Sequence, residues 1–328
     1  MSFDVRHPEV AFAIQAVSAA AQVVREVQRE LVPEAVAKKD KSPVTVGDFA
    51  AQAVVGCLVE QAFPGDALVG EEDASHLRTP EAAPLLNQVT RFAGTQLAYA
   101  TPQTVCAWID HGKGHPGKRF WTLDPIDGTK GFLRGEQYAI AFALVVDGHV
   151  TVGALACPNL RDASVPDIGG QGSLVIAKRG EGTWTRPLFA EGPLVQLHVS
   201  AEADAARIRL LRSVEKAHTN MSEIDVIADR LGVNVAPVGM DSQAKYAVLA
   251  AGGGEAMLRL LSPDKPDYKE CIWDQAAGSI VVEEAGGRVT DLTGKPLDFS
   301  AGAKLTNNSG VVASNGVLHD PILRAIQG

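Results

Sequence analysis

Phe120-Trp-Thr-Leu-Asp-Pro-Ile-Asp-Gly-Thr129 runs an apolar strand straight into two carboxylates three residues apart. Pro125 restricts the backbone between them and Gly128 permits a tight turn, so Asp124 and Asp127 can face one spot. Converging carboxylates repel unless a cation sits between them. Oxygen-only donors suit a hard ion such as Mg²⁺, which keeps water and phosphate oxygens as its other ligands. An isolated Asp-x-x-Asp also reads as a capping turn. Two more acidic stretches stand beside apolar segments: Glu71-Glu72-Asp73 after the short strand 67–69, and Asp274 after Ile272-Trp273 at the start of a helix. Taken singly, these read as a solvated run and a helix cap, and Asp48 after Thr45-Val46-Gly47 reads as a cap too.

Outward from that stretch, Val10, Ile14, Val17, Ala21, Val24 and Leu31 recur at helical spacing opposite Gln15, Gln22, Glu26 and Arg29, which predicts an amphipathic packing helix. A second helix is expected from about Asp48 to the Pro64-Gly65 breaker, and a third over 85–92. The region 101–119, with His111-Gly-Lys-Gly-His-Pro-Gly-Lys118, reads as a basic surface loop, with a mobile lid over an anion as the alternative. Strands follow over 138–146 and 150–157 around Asp147-Gly148, and over 173–178 and 182–186 around Arg179-Gly180. After about residue 195, strands alternate with helices. The expectation is therefore an α/β chain in two domains. Residues 1–195 would be N-terminal helices and an antiparallel sheet, and 196–328 a layered α/β unit whose strand and helix ends supply a ligand site.

At 328 residues the chain can bury a large core without disulfides. Cys57, Cys106, Cys157 and Cys271 lie far apart with no ligand-spaced His, so they read as thiols in a reducing, cytoplasmic compartment rather than as a zinc site. The longest apolar run, 139–146, is too short to span a bilayer, and Asp4 and Glu9 stand where a secretory leader would be basic. The net charge of −9 argues against a nucleic-acid polymer or an anionic membrane as partner. An acidic chain that handles phosphate needs local cations or a metal.

Lys41-Ser-Pro-Val-Thr-Val-Gly-Asp48, Val69-Gly-Glu-Glu-Asp73, Trp121 to Phe132, and Trp273-Asp-Gln-Ala-Ala-Gly278 with Glu284-Ala-Gly-Gly287 resemble, in order, the motifs of the inositol monophosphatase superfamily. The resemblance spans almost the whole chain. It implies a two-domain α/β/α/β/α sandwich and a lithium-sensitive, Mg²⁺-dependent phosphomonoesterase using two or three ions. Within the superfamily, Gly131-Phe-Leu-Arg-Gly135, the stretch 213–218 and Met240 to Tyr246 are similar to the 3'(2'),5'-bisphosphate nucleotidase branch. That likeness implies a small nucleotide partner, adenosine 3',5'-bisphosphate, with AMP as product, and a monomer is the favoured state.

Carried onto this chain, the resemblance implies Glu71, Asp124 and the Ile126 carbonyl as ligands of one metal, and Asp124, Asp127 and Asp274 of a second. Asp48 and Thr129 would orient and deprotonate the attacking water. Gly128, Thr129, His218, Asp241, Ser242, Lys245, Arg259 and Asp274 would contact substrate. Each has a plainer reading as well. Lys245 and Arg259 read as ordinary solvated cations, Ser242 as an N-cap that could also seat an anion, and His218 as a structural histidine, although Arg259 is a charge within an apolar strand that wants a partner, with the 5'-phosphate a candidate. The rival functions are an inositol polyphosphate or adenylyl sulfate phosphate phosphatase, an aspartate-nucleophile phosphatase whose motif spacing is one residue shorter, and a silent nucleotide sensor.

Overall fold

The computed structural model describes residues 3–38, 42–214, 221–262, 265 and 267–328. The chain runs α1 (Pro8–Lys38), α2 (Ser42–Ala62), β1 (Ala67–Gly70), α3 (Ala83–Ala93), α4 (Pro102–His111), β2 (Arg119–Asp127), α5 (Thr129–Arg134), β3 (Ala139–Val146) and β4 (His149–Cys157). A small hairpin, β5 (Leu160–Arg161) and β6 (Val165–Pro166), precedes β7 (Ser173–Lys178), β8 (Gly182–Pro187) and β9 (Val195–Leu197). Then come β10 (Leu210–Arg212), α6 (Met221–Leu231), β11 (Val238–Gly239), α7 (Ala244–Ala250), β12 (Ala256–Arg259), α8 (Ala276–Glu284), β13 (Arg288–Thr290), β14 (Val311–Ser314) and α9 (His319–Gln327).

One sheet has the order β1-β2-β3-β4-β7-β8-β9, antiparallel except where β1 lies parallel to β2. The other has the order β11-β10-β12-β14-β13, with β10 parallel to both its neighbours. Helices α1 and α2 cover one face of the first sheet, α7 and α8 lie between the sheets, and α6 and α9 cover the outer side of the second. These are the α/β/α/β/α layers anticipated from the sequence.

Strand β3 shows why its apolar run is unbroken. Ile140, Phe142 and Leu144 face the α1/α2 layer, whereas Ala139, Ala141 and Ala143 face α8. Burial on both faces removes the polar alternation of a half-exposed strand, and the small residues let α8 approach. The approach is close, because a Cβ at Gly153 would stand 2.3 Å from Ile280 Cγ2. Helix α1 is long and apolar enough over Pro8–Leu31 to cross a bilayer, yet Val10, Ala13, Val17, Ala20 and Val24 are fully buried against protein. It is a core helix.

Two local expectations are corrected. Pro102–His111 is helical, not loop, opened by a capping box between Thr101 and Thr104 with Pro102 in the first turn. The Thr-Pro-x-Thr start signal outweighs the glycines that follow it. The remaining basic stretch is fastened to β1. Gly114 N–H donates to the Leu68 carbonyl at 2.8 Å, and Lys113 Nζ lies 3.1 Å from Asp110 and 3.5 Å from Asp73. Likewise α2 begins at Ser42, so Asp48 sits inside the helix and does not cap it. Gly47, inside the helix, is a packing glycine whose Cβ would stand 2.6 Å from Ile126 Cδ1.

In the second sheet, buried His319 hydrogen-bonds Thr290 Oγ1 and Ser314 Oγ, both at 2.8 Å. Burial, helped by Arg288, lowers its pKa to about 4 from 6.5. Between those values the unfolded chain binds the extra proton, so this contribution is intact above pH 6.5 and is lost as pH falls toward 4. Denaturant titrations of the metal-free protein at pH 7 and pH 4.5 should show His319→Gln losing about 2 kcal/mol less stability than the wild type. Equal losses would refute the assignment.

Candidate active site

The carboxylates come together because β2 carries a bulge. Asp124 pairs with Ala141 and Asp127 with Ala139, so three steps along β2 match two along β3. In a regular strand, residues three apart point to opposite faces; the extra residue turns Asp124 and Asp127 to the same side. Gly128 then adopts φ +89° and starts α5, and Thr129 occupies its first position. Glu71 follows directly on β1, parallel to β2, and Asp274 lies two residues before α8. A cavity of about 530 Å³ is lined by Glu71, Asp124, Ile126, Asp127, Gly128, Thr129, Asp241, Ser242, Lys245, Arg259 and Asp274. Asp48 does not line it; Asp48 is buried nearby in α2, and its carboxyl is pushed well up in pKa by burial and by the charges of Glu72 and Glu71. Among the described residues no hydrogen bond joins Asp48 to Thr129, and His218 lies outside the described residues.

The second sheet and its helices bring the cations. Lys245 is buried, its Nζ donating to the Ser242 carbonyl at 2.9 Å, and burial lowers its pKa to about 8 against the pull of Asp127. It is not a solvated cation. Arg259 Nη2 pairs with Glu270 Oε2 at 2.7 Å, so the partner its strand position demanded is protein, while its buried Nε has none among the described residues. Burial works against that charge, but Glu270, Asp274 and Asp127 outweigh it and raise the Arg259 pKa. Ser242 is not the residue next to a helix: α7 begins at Ala244, and Ser242 sits at φ +67° with its Oγ accepting from Ala244 N–H at 3.1 Å. The seat expected there for a substrate anion is taken by Asp127, whose Oδ2 accepts from Gln243 N–H at 2.7 Å.

Two glutamines do positioning work that the motifs did not reveal. Gln52, one helical turn beyond Asp48 and fully buried, accepts from Glu72 N–H at 3.0 Å and donates to the Ile109 carbonyl at 2.9 Å. It fixes the turn that presents Glu71. Gln243 donates through Nε2 to the Trp273 carbonyl at 3.0 Å and accepts from Gly278 N–H at 3.2 Å, tying Asp127 to the segment carrying Asp274. A buried polar side chain inside an apolar helical pattern was the available signal.

The donor set fits hard cations. Asp124 is buried and its Oδ1 has no hydrogen-bond partner. Burial raises the pKa of Glu71 to about 7, with Glu72 and Asp127 adding to the rise, and that of Asp274 to about 8 against the pull of Arg259. Asp124 is pushed well up by burial and then by Glu71, Asp127, Asp274 and Asp48. Among the described residues no three acids already form a closed ion-binding cluster; they ring the cavity, the arrangement suited to ions that keep water and phosphate oxygens as ligands.

Residues 6–328 match the model of the inositol monophosphatase family. The chain belongs to that family. Among its relatives, a 3'(2'),5'-bisphosphate nucleotidase of Schizosaccharomyces pombe is 41% identical over 344 residues, covering 99% of this chain and 96% of the relative. One from Oryza sativa is 41% identical over 338 residues, covering 97% and 93%. Solved structures share the fold: SuhB of Mycobacterium tuberculosis at TM-score 0.63 and 21% identity, covering 97% of this chain and 94% of that one, and the Anabaena inositol monophosphatase at TM-score 0.62 and 20% identity, also covering 97% and 94%.

Proposed function

We propose that this inositol monophosphatase family member is a 3'(2'),5'-bisphosphate nucleotidase that removes the 3'-phosphate of adenosine 3',5'-bisphosphate, giving AMP and phosphate. The observation that carries this reading is 41% identity to a nucleotidase across 99% of the chain. The cavity supports it, because a ring of acids shares one space with buried Lys245 and half-buried Arg259, which suits a substrate with two phosphates held in different ways.

Glu71, Asp124, Asp127, Asp274 and the Ile126 carbonyl would hold two or three Mg²⁺ ions, which neutralise the phosphate and make water more acidic. Thr129, on the cavity wall, would orient the attacking water and relay its proton to Asp48, whose buried carboxyl holds a proton more readily than usual. Lys245 and Arg259 would seat the 5'-phosphate, with Asp241, Ser242 and Gly128 against the sugar and His218 against the nucleoside. We also place a boundary between two domains near residue 195, where β9 ends the first sheet at Leu197, and the enzyme in a reducing compartment such as the cytoplasm, since its four thiols are free.

Phosphate release should be measured from adenosine 3',5'-bisphosphate and from inositol 1,4-bisphosphate, each with and without Mg²⁺ and Li⁺. A higher kcat/KM for the inositol compound would refute the reading, as would nucleotide binding without turnover in saturating Mg²⁺. Lys245→Gln should raise the nucleotide KM about tenfold with little change in kcat, the signature of a lost charge-assisted contact made equally in ground and transition states.

A further inference from the structure

A second cavity, of about 690 Å³, is walled by Arg25 and Arg29 of α1, Leu133 and Arg134 of α5, Tyr138 and Asn159. No acid lines it among the described residues, although the chain carries a net charge of −9. The Arg25 guanidinium lies 3.4 Å over the Phe189 ring centre, and burial is the main influence lowering its pKa. Neither Arg25 nor Arg29 is joined to an acid by an ion pair among the described residues. Tyr138 is fully buried, yet among the described residues its hydroxyl has no hydrogen-bond partner, an unusual state for a buried polar atom. The volume is that of a small-molecule site. Two cations that form no ion pair among the described residues, although Glu26 favours the charge of Arg25, and an unsatisfied donor suit one multivalent acceptor.

We propose that this cavity binds a phosphorylated small molecule of nucleotide size, its phosphate held by Arg25, Arg29 and the Tyr138 hydroxyl. The site is coupled to the one already described. Leu133 borders both cavities, and Arg134 joins Glu136 at 2.6 Å and also Asp241, which lines the other cavity and accepts from Val214 N–H at 3.0 Å. A phosphate that draws Arg134 toward itself loosens Asp241, so occupancy raises the substrate KM.

Calorimetric titration of the full-length, Mg²⁺-loaded protein with AMP and with ribose 5-phosphate tests the site without turnover. Arg25→Gln/Arg29→Gln should bind one equivalent fewer than the wild type, whatever the first cavity binds, so this result stands apart from the nucleotidase reading. Tyr138→Phe, which keeps the ring, should weaken that same equivalent about tenfold. Equal stoichiometry in wild type and double variant for both probes, or unchanged affinity in Tyr138→Phe, overturns the proposal.

Discussion

Asp124→Asn should lower kcat by about a thousandfold or more while making the metal-free protein more stable. The two effects have one cause. Asp124 is buried, has an unpartnered carboxylate oxygen, and feels the charges of Glu71, Asp127, Asp274 and Asp48. Without cations such a group opposes folding, so a neutral isostere relieves repulsion, and the melting temperature should rise by about 2 °C or more. With Mg²⁺ present the order should reverse, because the wild type gains binding free energy that the variant forfeits. Thermal melts with and without Mg²⁺, alongside steady-state kinetics, separate these outcomes. Retention of more than about a tenth of the activity would remove Asp124 from the reacting assembly.

Gly128→Ala should cost about 3 kcal/mol of stability and about a hundredfold in kcat/KM. Gly128 has φ +89°, which an L-residue adopts only with strain. Its added Cβ would also stand 2.7 Å from Ser242 Cβ. Ser242 can retreat only by moving the segment whose next residue, Gln243, holds Asp127 and connects it to Trp273. A small steric change is thereby converted into displacement of acids that line the cavity. Denaturant unfolding and kinetics on the purified variant are the measurements, and wild-type values in both would refute the argument.

Much of the fold was legible because apolar periodicity records burial. The stripe of α1 and the strands around Asp147-Gly148 and Arg179-Gly180 stand where the pattern places them. Helix α4 was not legible in the same way, since its Thr101 cap competed with the glycines beyond it for the reading of the whole region. The start of α2 lies at Ser42 rather than near Asp48: Asp48 looks like a cap in sequence, whereas Gly47 before it is helical and packs closely on Ile126.

By itself the sequence pointed to an α/β chain and to Asp124 and Asp127 as converging carboxylates, because spacing, turn residues and charge are local properties of a chain; Glu71 and Asp274 joined them through the resemblance of the motifs to a family. The tertiary structure alone decided how those acids and cations stand to one another. The β2 bulge that turns Asp124 and Asp127 to one side depends on pairing with β3. Burial, which no single segment encodes, makes Lys245 a desolvated cation and leaves Glu270 as the partner of Arg259. Gln52 and Gln243 bridge segments 20 or more residues apart, so their roles follow from contacts that exist only once the layers have packed.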